Sequence, residues 1–165
     1  METNNRQIVY DFLDKLGINY EVHEHEPIPT IEDALRVWKD IDATHCKNLF
    51  FRNHKGNRHY MVVFEHSQKL AIRDLEQRLK QGKLSFASEK RMIKYLKTLG
   101  GSISPFGLIN DDENHTHLFL DENLQQAERL SFHPNDNRVT LVISQEDFRK
   151  YLDAVGNSYE YLKLY

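Results

Sequence analysis

The run His45-Cys46-Lys47-Asn48 sets an imidazole, a thiol and an ammonium side by side, just ahead of an apolar stretch. A rigid scaffold can present such a group at the mouth of a cavity. Lys47 is the most suggestive, because a lysine entering an apolar strand must either snorkel outward or hold its ammonium against an anion, such as a phosphate or a developing oxyanion. Cys46 would need a nearby base and a lowered pKa to act as a nucleophile, and reads better as a small packing residue. A second stretch, Gly100-Gly101-Ser102-Ile103-Ser104-Pro105-Phe106-Gly107, pairs permissive glycines with a rigid proline. Such a loop can turn backbone N–H groups toward a ligand, although a C-cap and turn is its ordinary reading. His133-Pro134 precedes the polar Asn135-Asp136-Asn137, where an imidazole closes a pocket or simply serves a turn.

Nine histidines raise the question of a metal. His115-Thr116-His117 would set two imidazoles on one strand face, but no third ligand accompanies them. His23-Glu24-His25-Glu26 lacks the helical spacing of a metalloprotease motif, so solvated histidines are the better reading. Asn110-Asp111-Asp112-Glu113-Asn114 shares only its acidity with a calcium loop, and a hairpin turn is expected there. There is no Walker loop, no dinucleotide fingerprint and no G-x-S-x-G elbow. No metal and no cofactor are expected.

The elements that must position these residues follow from length and pattern. A chain of 165 residues, 39% hydrophobic and 28% charged, suits one globular domain over 1–165. The single cysteine excludes an intramolecular disulfide and makes a reducing, cytoplasmic home the default. The amino terminus lacks the apolar stretch of a signal peptide and no long apolar run follows, so no membrane partner is expected. With a formal charge of −3, any nucleic-acid contact must be local.

Ile8, Val9, Phe12, Leu13 and Leu16 recur at helical spacing up to Gly17, and a short strand should run from Tyr20 to His23. Pro27 and Pro29 force an extended link to a helix that Thr30 caps, with Asp33 three positions on and Ile31, Leu35 and Trp38 facing the core. Leu49 to Phe51 and Tyr60 to Phe64 read as a hairpin around Asn53 to Asn57, buried on both faces. A helix from about Asp74 carries Leu75 and Leu79 inward, ends before Gly82, and leads to a short segment at Leu84 and Phe86. The next, capped by Ser88, carries Met92, Ile93, Leu96 and Leu99 inward until Gly100-Gly101 stops it. Strands at Thr116–Leu120 and Val139–Ile143 and a last helix capped by Ser144, with Phe148, Leu152 and Val155 inward, complete the pattern. Helices and strands mix without a βαβ rhythm, which predicts α+β around a mixed sheet.

In this order the residues resemble the freestanding prolyl-tRNA editing family of the YbaK/ProX type, related to the insertion domain of bacterial prolyl-tRNA synthetase. The pieces that carry the resemblance are Pro27 to Glu32 with Thr30; Lys47-Asn48-Leu49-Phe50; Leu84-Ser85-Phe86-Ala87-Ser88; Gly101 to Pro105 continuing to Asp111; and His133-Pro134 with Asn137 and Thr140. Cys46 and Asp136 depart locally from the pattern. The resemblance implies a mixed sheet or partly closed barrel surrounded by helices. It is strongest to the branch that hydrolyses alanyl-tRNA(Pro), with the cysteinyl-tRNA(Pro) branch as the alternative and a non-catalytic aminoacyl-tRNA or synthetase binder as the rival. It implies Lys47 and Gly101 as catalytic positions, Lys47 anchoring the terminal phosphate or substrate carbonyl. Thr30, Asn48, Ser102, Ser104, Pro105 and His133 would bind substrate. The implied partners are mischarged tRNA(Pro) and, for delivery, prolyl-tRNA synthetase or an elongation factor, with monomer and homodimer both open. Arg73, Arg78, Lys80 and Lys83 form a candidate basic rim for the acceptor stem.

Overall fold

The computed structural model describes residues 2–28 and 30–165, less the side chains of residues 2–4 and 31. Pro29 and the expected inward turn of Ile31 therefore lie outside the described residues. The helices are α1 (Glu2–Lys15), α2 (Ile31–Trp38), α3 (Ile72–Leu79), α4 (Glu89–Leu96) and α5 (Gln145–Val155). The strands are β1 (Tyr20–Glu24), β2 (Thr44–Arg52), β3 (His59–Glu65), β4 (Ser85–Phe86), β5 (His117–Asp121), β6 (Arg129–Phe132), β7 (Val139–Ser144) and β8 (Tyr159–Leu162).

The strands form one mixed sheet in the order β1-β7-β6-β2-β3-β5-β8, with β4 also bonded to β2. The α+β expectation holds, but the barrel alternative does not. β1 and β8 end the order as free edges, so the sheet is open. β2 pairs with β6, β3 with β5, and β5 with β8 in parallel, and the other pairings are antiparallel.

Alternate residues of the central strands feed two cores. Phe50, Met61 and Val63 point to a large cluster with Val9, Leu13, Leu96, Phe106, Phe148 and Leu152 from the helices and the loop after α4. Phe51, Val62 and Phe64 point to a smaller one under α3, with Leu75, Leu84 and Leu164. Burial on both faces is therefore right for β3. In β2 it is broken at Lys47, which is exposed.

Helix ends follow local chemistry. Thr30, Ser88 and Ser144 accept from the N–H three residues on, as expected of N-caps. The stops differ from the glycine rule. α3 begins at Ile72 and ends on Lys80, and α4 ends on Lys97, both lysines being left-handed with φ of 52° and 54°. Gly82 is required for a different reason, since a Cβ there would meet His54 Cβ at 2.6 Å. Because α4 stops early, Leu99 leaves the helix and is 47% exposed; Ile93, within α4, is 53% exposed, on a face that the expected inward turn does not reach. Leu35 is exposed as well, Ala34 taking the buried position of α2. Asn110–Asn114 is not a hairpin turn, because a 3-10 turn over Pro105–Asn110 precedes it and β5 joins the sheet parallel to β3. β6 and β8 were not legible as strands.

Buried polar contacts lock the loops to this frame. The Tyr151 hydroxyl, on α5, donates to Pro105 O at 2.7 Å with both residues buried. Asp136, 1% exposed at its side chain, pairs with Arg6 of α1 at 2.7 Å and with Arg138 at 2.9 Å. Burial alone would raise the Asp136 pKa, but the hydrogen bonds from Arg138 and Arg6 overcome it and hold the carboxyl well below its usual range.

Two consequences can be measured. Tyr151→Phe leaves the Pro105 carbonyl unsatisfied and should lower stability by about 1–2 kcal/mol in urea denaturation, with an unchanged m-value; an unperturbed midpoint would deny this bond a part in the fold. Asp136→Asn should cost about 2–4 kcal/mol at neutral pH, less than a fully buried pair because Arg138 reaches solvent. The folded carboxyl has the lower pKa, so its contribution is complete above the ordinary value of 3.8 and fades as pH falls below it. The gap between wild type and variant should therefore narrow under acid, and a gap constant down to about pH 2 would contradict the ion-pair account.

Candidate active site

The site originates in the way β2 is bonded. One edge lies against β3 from Cys46 to Arg52. The other is held by β6 at Thr44 and His45, and by β4 at Phe51 and Arg52. The Ala87 N–H adds a bond to Phe50 O at 2.9 Å. Between these clamps β2 has no sheet neighbour on that side among the described residues, and Lys47 and Asn48 lie in that stretch.

His45 pairs with Ser131, and Ser131 is followed by Phe132 and His133. Continuing that parallel register brings Lys47 level with His133, on the sheet face that His45 and Ser131 share. Lys47 is exposed on that face, beside the stretch of β2 between its pairings with β6 and β4. Asn48 is half-buried, and its Oδ1 has no hydrogen-bond partner among the described residues.

The neighbours of Lys47 in sequence have structural duties. His45 is buried, its Nδ1 bonded to the Ser131 hydroxyl and its Nε2 to Ile41 O at 3.2 Å, with Trp38 stacked on the ring at 4.6 Å. Burial depresses its pKa. Cys46 is buried, and burial with the Glu65 charge pushes its thiol far above the usual range, which suits packing and not nucleophilic attack.

His133 sits where β6 gives way to the loop that leads into β7. Its Nδ1–H donates to Val139 O at 2.7 Å, which fixes the tautomer and leaves Nε2 as an acceptor. Burial lowers its pKa, assisted by the nearby His25, against the opposing Val139 hydrogen bond. The neutral ring therefore persists at neutral pH. His25 lies edge-on to it, ring centres 6.1 Å apart, and bonds Thr140 Oγ1 at 2.8 Å and Glu26 O at 2.8 Å. Sequence reasoning left His25 among the solvated histidines. The β1–β7 pairing that sets His23 against Thr140 is what carries it to His133, and no local signal announces that pairing.

The glycine loop meets the same region through Asn137. Gly100–Ser102 is a single 3-10 turn, Asn137 N–H donates to Ser102 Oγ at 3.2 Å, and a Cβ at Gly101 would stand 3.4 Å from Asn137 Nδ2. Neither Gly100 nor Gly101 adopts a positive φ, and a Cβ at Gly101 would meet Asn137 at close to ordinary contact distance, so neither backbone angle nor space demands glycine there. Ser104 and Pro105 lie beneath the turn. The Ser104 hydroxyl is fully buried and accepts from Phe106 N at 3.1 Å, while Pro105 O is held by Tyr151. Their side chains hold the loop and are not presented to a ligand. Thr30 is exposed, its hydroxyl engaged with Asp33 at the start of α2.

By register Lys47 and His133 thus share one face of the sheet, while Asn48, next along β2, turns to the other face with Cys46 and Phe50, and Gly101 and Ser102 are tied through Asn137 to the loop that follows His133. The remaining candidates fall elsewhere. Arg73, Arg78, Lys80 and Lys83 are exposed along α3 and beyond, and Arg78 also reaches Lys163 O. His115 stacks on Tyr95 and bonds His59 at 2.9 Å, whereas His117 bonds Ser158 and Glu160. Among the described residues, no three His, Cys, Asp or Glu side chains converge as metal ligands.

Residues 25–151 match the sequence profile of the aminoacyl-tRNA editing domain. The chain is 41% identical over 166 residues to the prolyl-tRNA editing protein ProX of Acetoanaerobium sticklandii, covering 99% of this chain and 100% of that protein. It is 32% identical over 149 residues to the prolyl-tRNA synthetase associated domain-containing protein 1 of Mus musculus, covering 88% of each. The fold matches a solved structure described as a candidate trans-editing enzyme for prolyl tRNA synthetase, with a TM-score of 0.71 at 18% identity over 96% of each chain. The opening beside β2, the glycine turn and the late histidine all fall within the matched segment, and the chain belongs to the aminoacyl-tRNA editing domain family, in its YbaK/ProX branch.

Proposed function

We propose that this protein hydrolyses the ester joining alanine to the terminal adenosine of mischarged tRNA(Pro), in trans to the synthetase. The observation that carries the reading is the placement of Lys47 at the one unclamped stretch of β2, level with His133, in a chain of the editing family. The Lys47-Asn48-Leu49-Phe50 run, the stretch from Ser104 to Asp111 and the C-terminal helix favour alanine over cysteine as the amino acid removed.

Water attacks the ester carbonyl, the carbonyl–ribose C–O bond breaks, and the proton given up by water ends on the released ribose hydroxyl. Free alanine and tRNA(Pro) are the products. An aminoacyl ester is already activated, so orientation and charge stabilisation supply most of what is needed. The Lys47 ammonium anchors the terminal phosphate or the carbonyl oxygen and counters charge in the tetrahedral transition state. The Gly101–Ser102 turn holds the aminoacyl end and positions the water. Neutral His133 offers Nε2 to the terminal nucleotide, and Asn48 and Thr30 are the further substrate-binding candidates that the family resemblance gives. Ser104 and Pro105 keep the turn in place.

The need for such an enzyme has a physical origin. A synthetase pocket built for proline gains only about 1–3 kcal/mol for each methylene that alanine lacks, so exclusion by affinity is weak. A second pocket that admits alanine and clashes with the proline ring sorts by size instead.

Deacylation of alanyl-, cysteinyl- and prolyl-tRNA(Pro) tests this directly. Wild type should release alanine alone, and Lys47→Ala should slow single-turnover release at least about 100-fold. Preferential loss of cysteine would move the chain to the other branch, and stoichiometric protection of every ester would make it a binder. The acid limb of the pH–rate profile should fall below the ordinary histidine value of 6.5, because protonation of buried His133 removes its acceptor. A limb at or above that value would exclude His133 from this role.

A further inference from the structure

His133 takes its tautomer from the Val139 carbonyl, which receives Nδ1–H at 2.7 Å. Whatever holds that carbonyl therefore decides which nitrogen His133 presents as an acceptor. The end of β1 holds residues 138–140 from one side. Glu24 pairs with Val139 in the sheet, the His25 N–H donates to Arg138 O at 2.9 Å, and the His25 ring bonds Thr140 Oγ1 at 2.8 Å. His25 thus grips the chain on both sides of Val139, once through its backbone and once through its side chain.

The His25 ring is itself fixed. Its Nδ1–H donates to Glu26 O at 2.8 Å, since a carbonyl can only accept, and this leaves Nε2 of the neutral ring to accept from the Thr140 hydroxyl. Thr140 is 1% exposed, and a buried hydroxyl deprived of its partner forfeits its hydration as well. From this position the His25 ring meets His133 edge-on, with centres 6.1 Å apart and planes at 64°. A cation on His25 would oppose a second one on His133. Of the other charges near His133, Asp136 in the same loop is engaged by Arg6 and Arg138, and Lys47 stands level with it across the β2–β6 register.

We infer that His25 is a positioning residue for the hydrolysis, bracketing Val139 so that its carbonyl holds the His133 ring with Nε2 as the acceptor. The inference rests on the proposed function for what His133 does, and on the hydrogen bonds for how His133 is held. Without the Thr140 bond, only backbone pairing restrains the chain around Val139. A His133 ring released from Val139 O can carry its proton on either nitrogen, and a proton on Nε2 turns the acceptor into a donor.

The test uses the full chain with substitutions at His25 and Thr140, read by the nitrogen chemical shifts of the His133 imidazole and by single-turnover release of alanine from alanyl-tRNA(Pro). Wild type should show the Nδ1–H tautomer. His25→Ala and Thr140→Val both break the Thr140 bond; each should mix the two tautomers and slow release about tenfold at neutral pH. His25→Gln offers Thr140 an acceptor again and should restore the tautomer and most of the rate. It should also move the acid limb of the rate profile to higher pH, because it lacks the charge that opposes a proton on His133. Thr140→Val keeps the side-chain shape and should melt close to wild type, so it carries the test if His25→Ala fails to fold. An unchanged His133 tautomer in Thr140→Val, or an altered tautomer with an unaltered rate, would overturn the assignment. A wild type that releases no amino acid while Thr140→Val still mixes the tautomers would reject the enzyme and support the hold on His133, whereas Lys47-dependent turnover that ignores Thr140→Val would do the reverse.

Discussion

The bonding of β2 is the constraint on which the rest of the molecule depends. It is the strand where the β1-β7-β6 half of the sheet meets the β3-β5-β8 half, and one of its edges is shared between β6 and β4. Two short partners cannot cover the edge of a strand running from Thr44 to Arg52. The uncovered middle is a break in the hydrogen-bonded surface, and unpaired backbone there is tolerable only where solvent or a ligand reaches it. Lys47 and Asn48 stand in that middle. The opening thus results from strand lengths, and the flanking apolar residues of β2 and β3 make its walls rigid.

A rigid opening is of use only if the loops that finish it are rigid as well. Those loops are held by buried polar contacts with the frame. Tyr151 holds the Pro105 carbonyl, Arg6 holds the loop after β6 through Asp136, and Asn157 joins Asp111 to the Thr116 carbonyl. Each contact ties residues far apart in sequence, and each would be costly to break because its partner stays buried. Asp136 shows how a departure from a family's usual residues can be absorbed. Two arginines surround it, so the charge serves as a clamp and does not face the opening.

The glycine turn after α4 joins two parts of the molecule through one residue. Gly100–Ser102 is one 3-10 turn whose Ser102 hydroxyl holds Asn137 and also lines a groove with Ile93, Thr98 and Leu99. The early stop of α4 at Lys97 is what exposes the groove, because a helix continued to Gly100 would have carried Leu99 toward the core. The positive φ of 54° at that lysine is a modest conformational expense that shapes this surface.

The sequence by itself determined what local chemistry dictates. The caps at Thr30, Ser88 and Ser144, the apolar periods of α1 and α5, the turn at Asn53–Asn57 and the exposure of Lys47 amid apolar neighbours all follow from interactions within a few residues. Only the tertiary structure decided where those pieces meet. The open sheet, the parallel pairing of β2 with β6 that sets Lys47 level with His133, and the β1–β7 register that brings His25 to Thr140 join residues separated by up to most of the chain. β6 is too short to carry a pattern of its own, and β8 follows the last helix with no apolar run to announce it. Ile93 and Leu99 marked the limit of periodicity most clearly. Their spacing is helical, but burial depends on what lies opposite, and here the described residues leave them about half exposed.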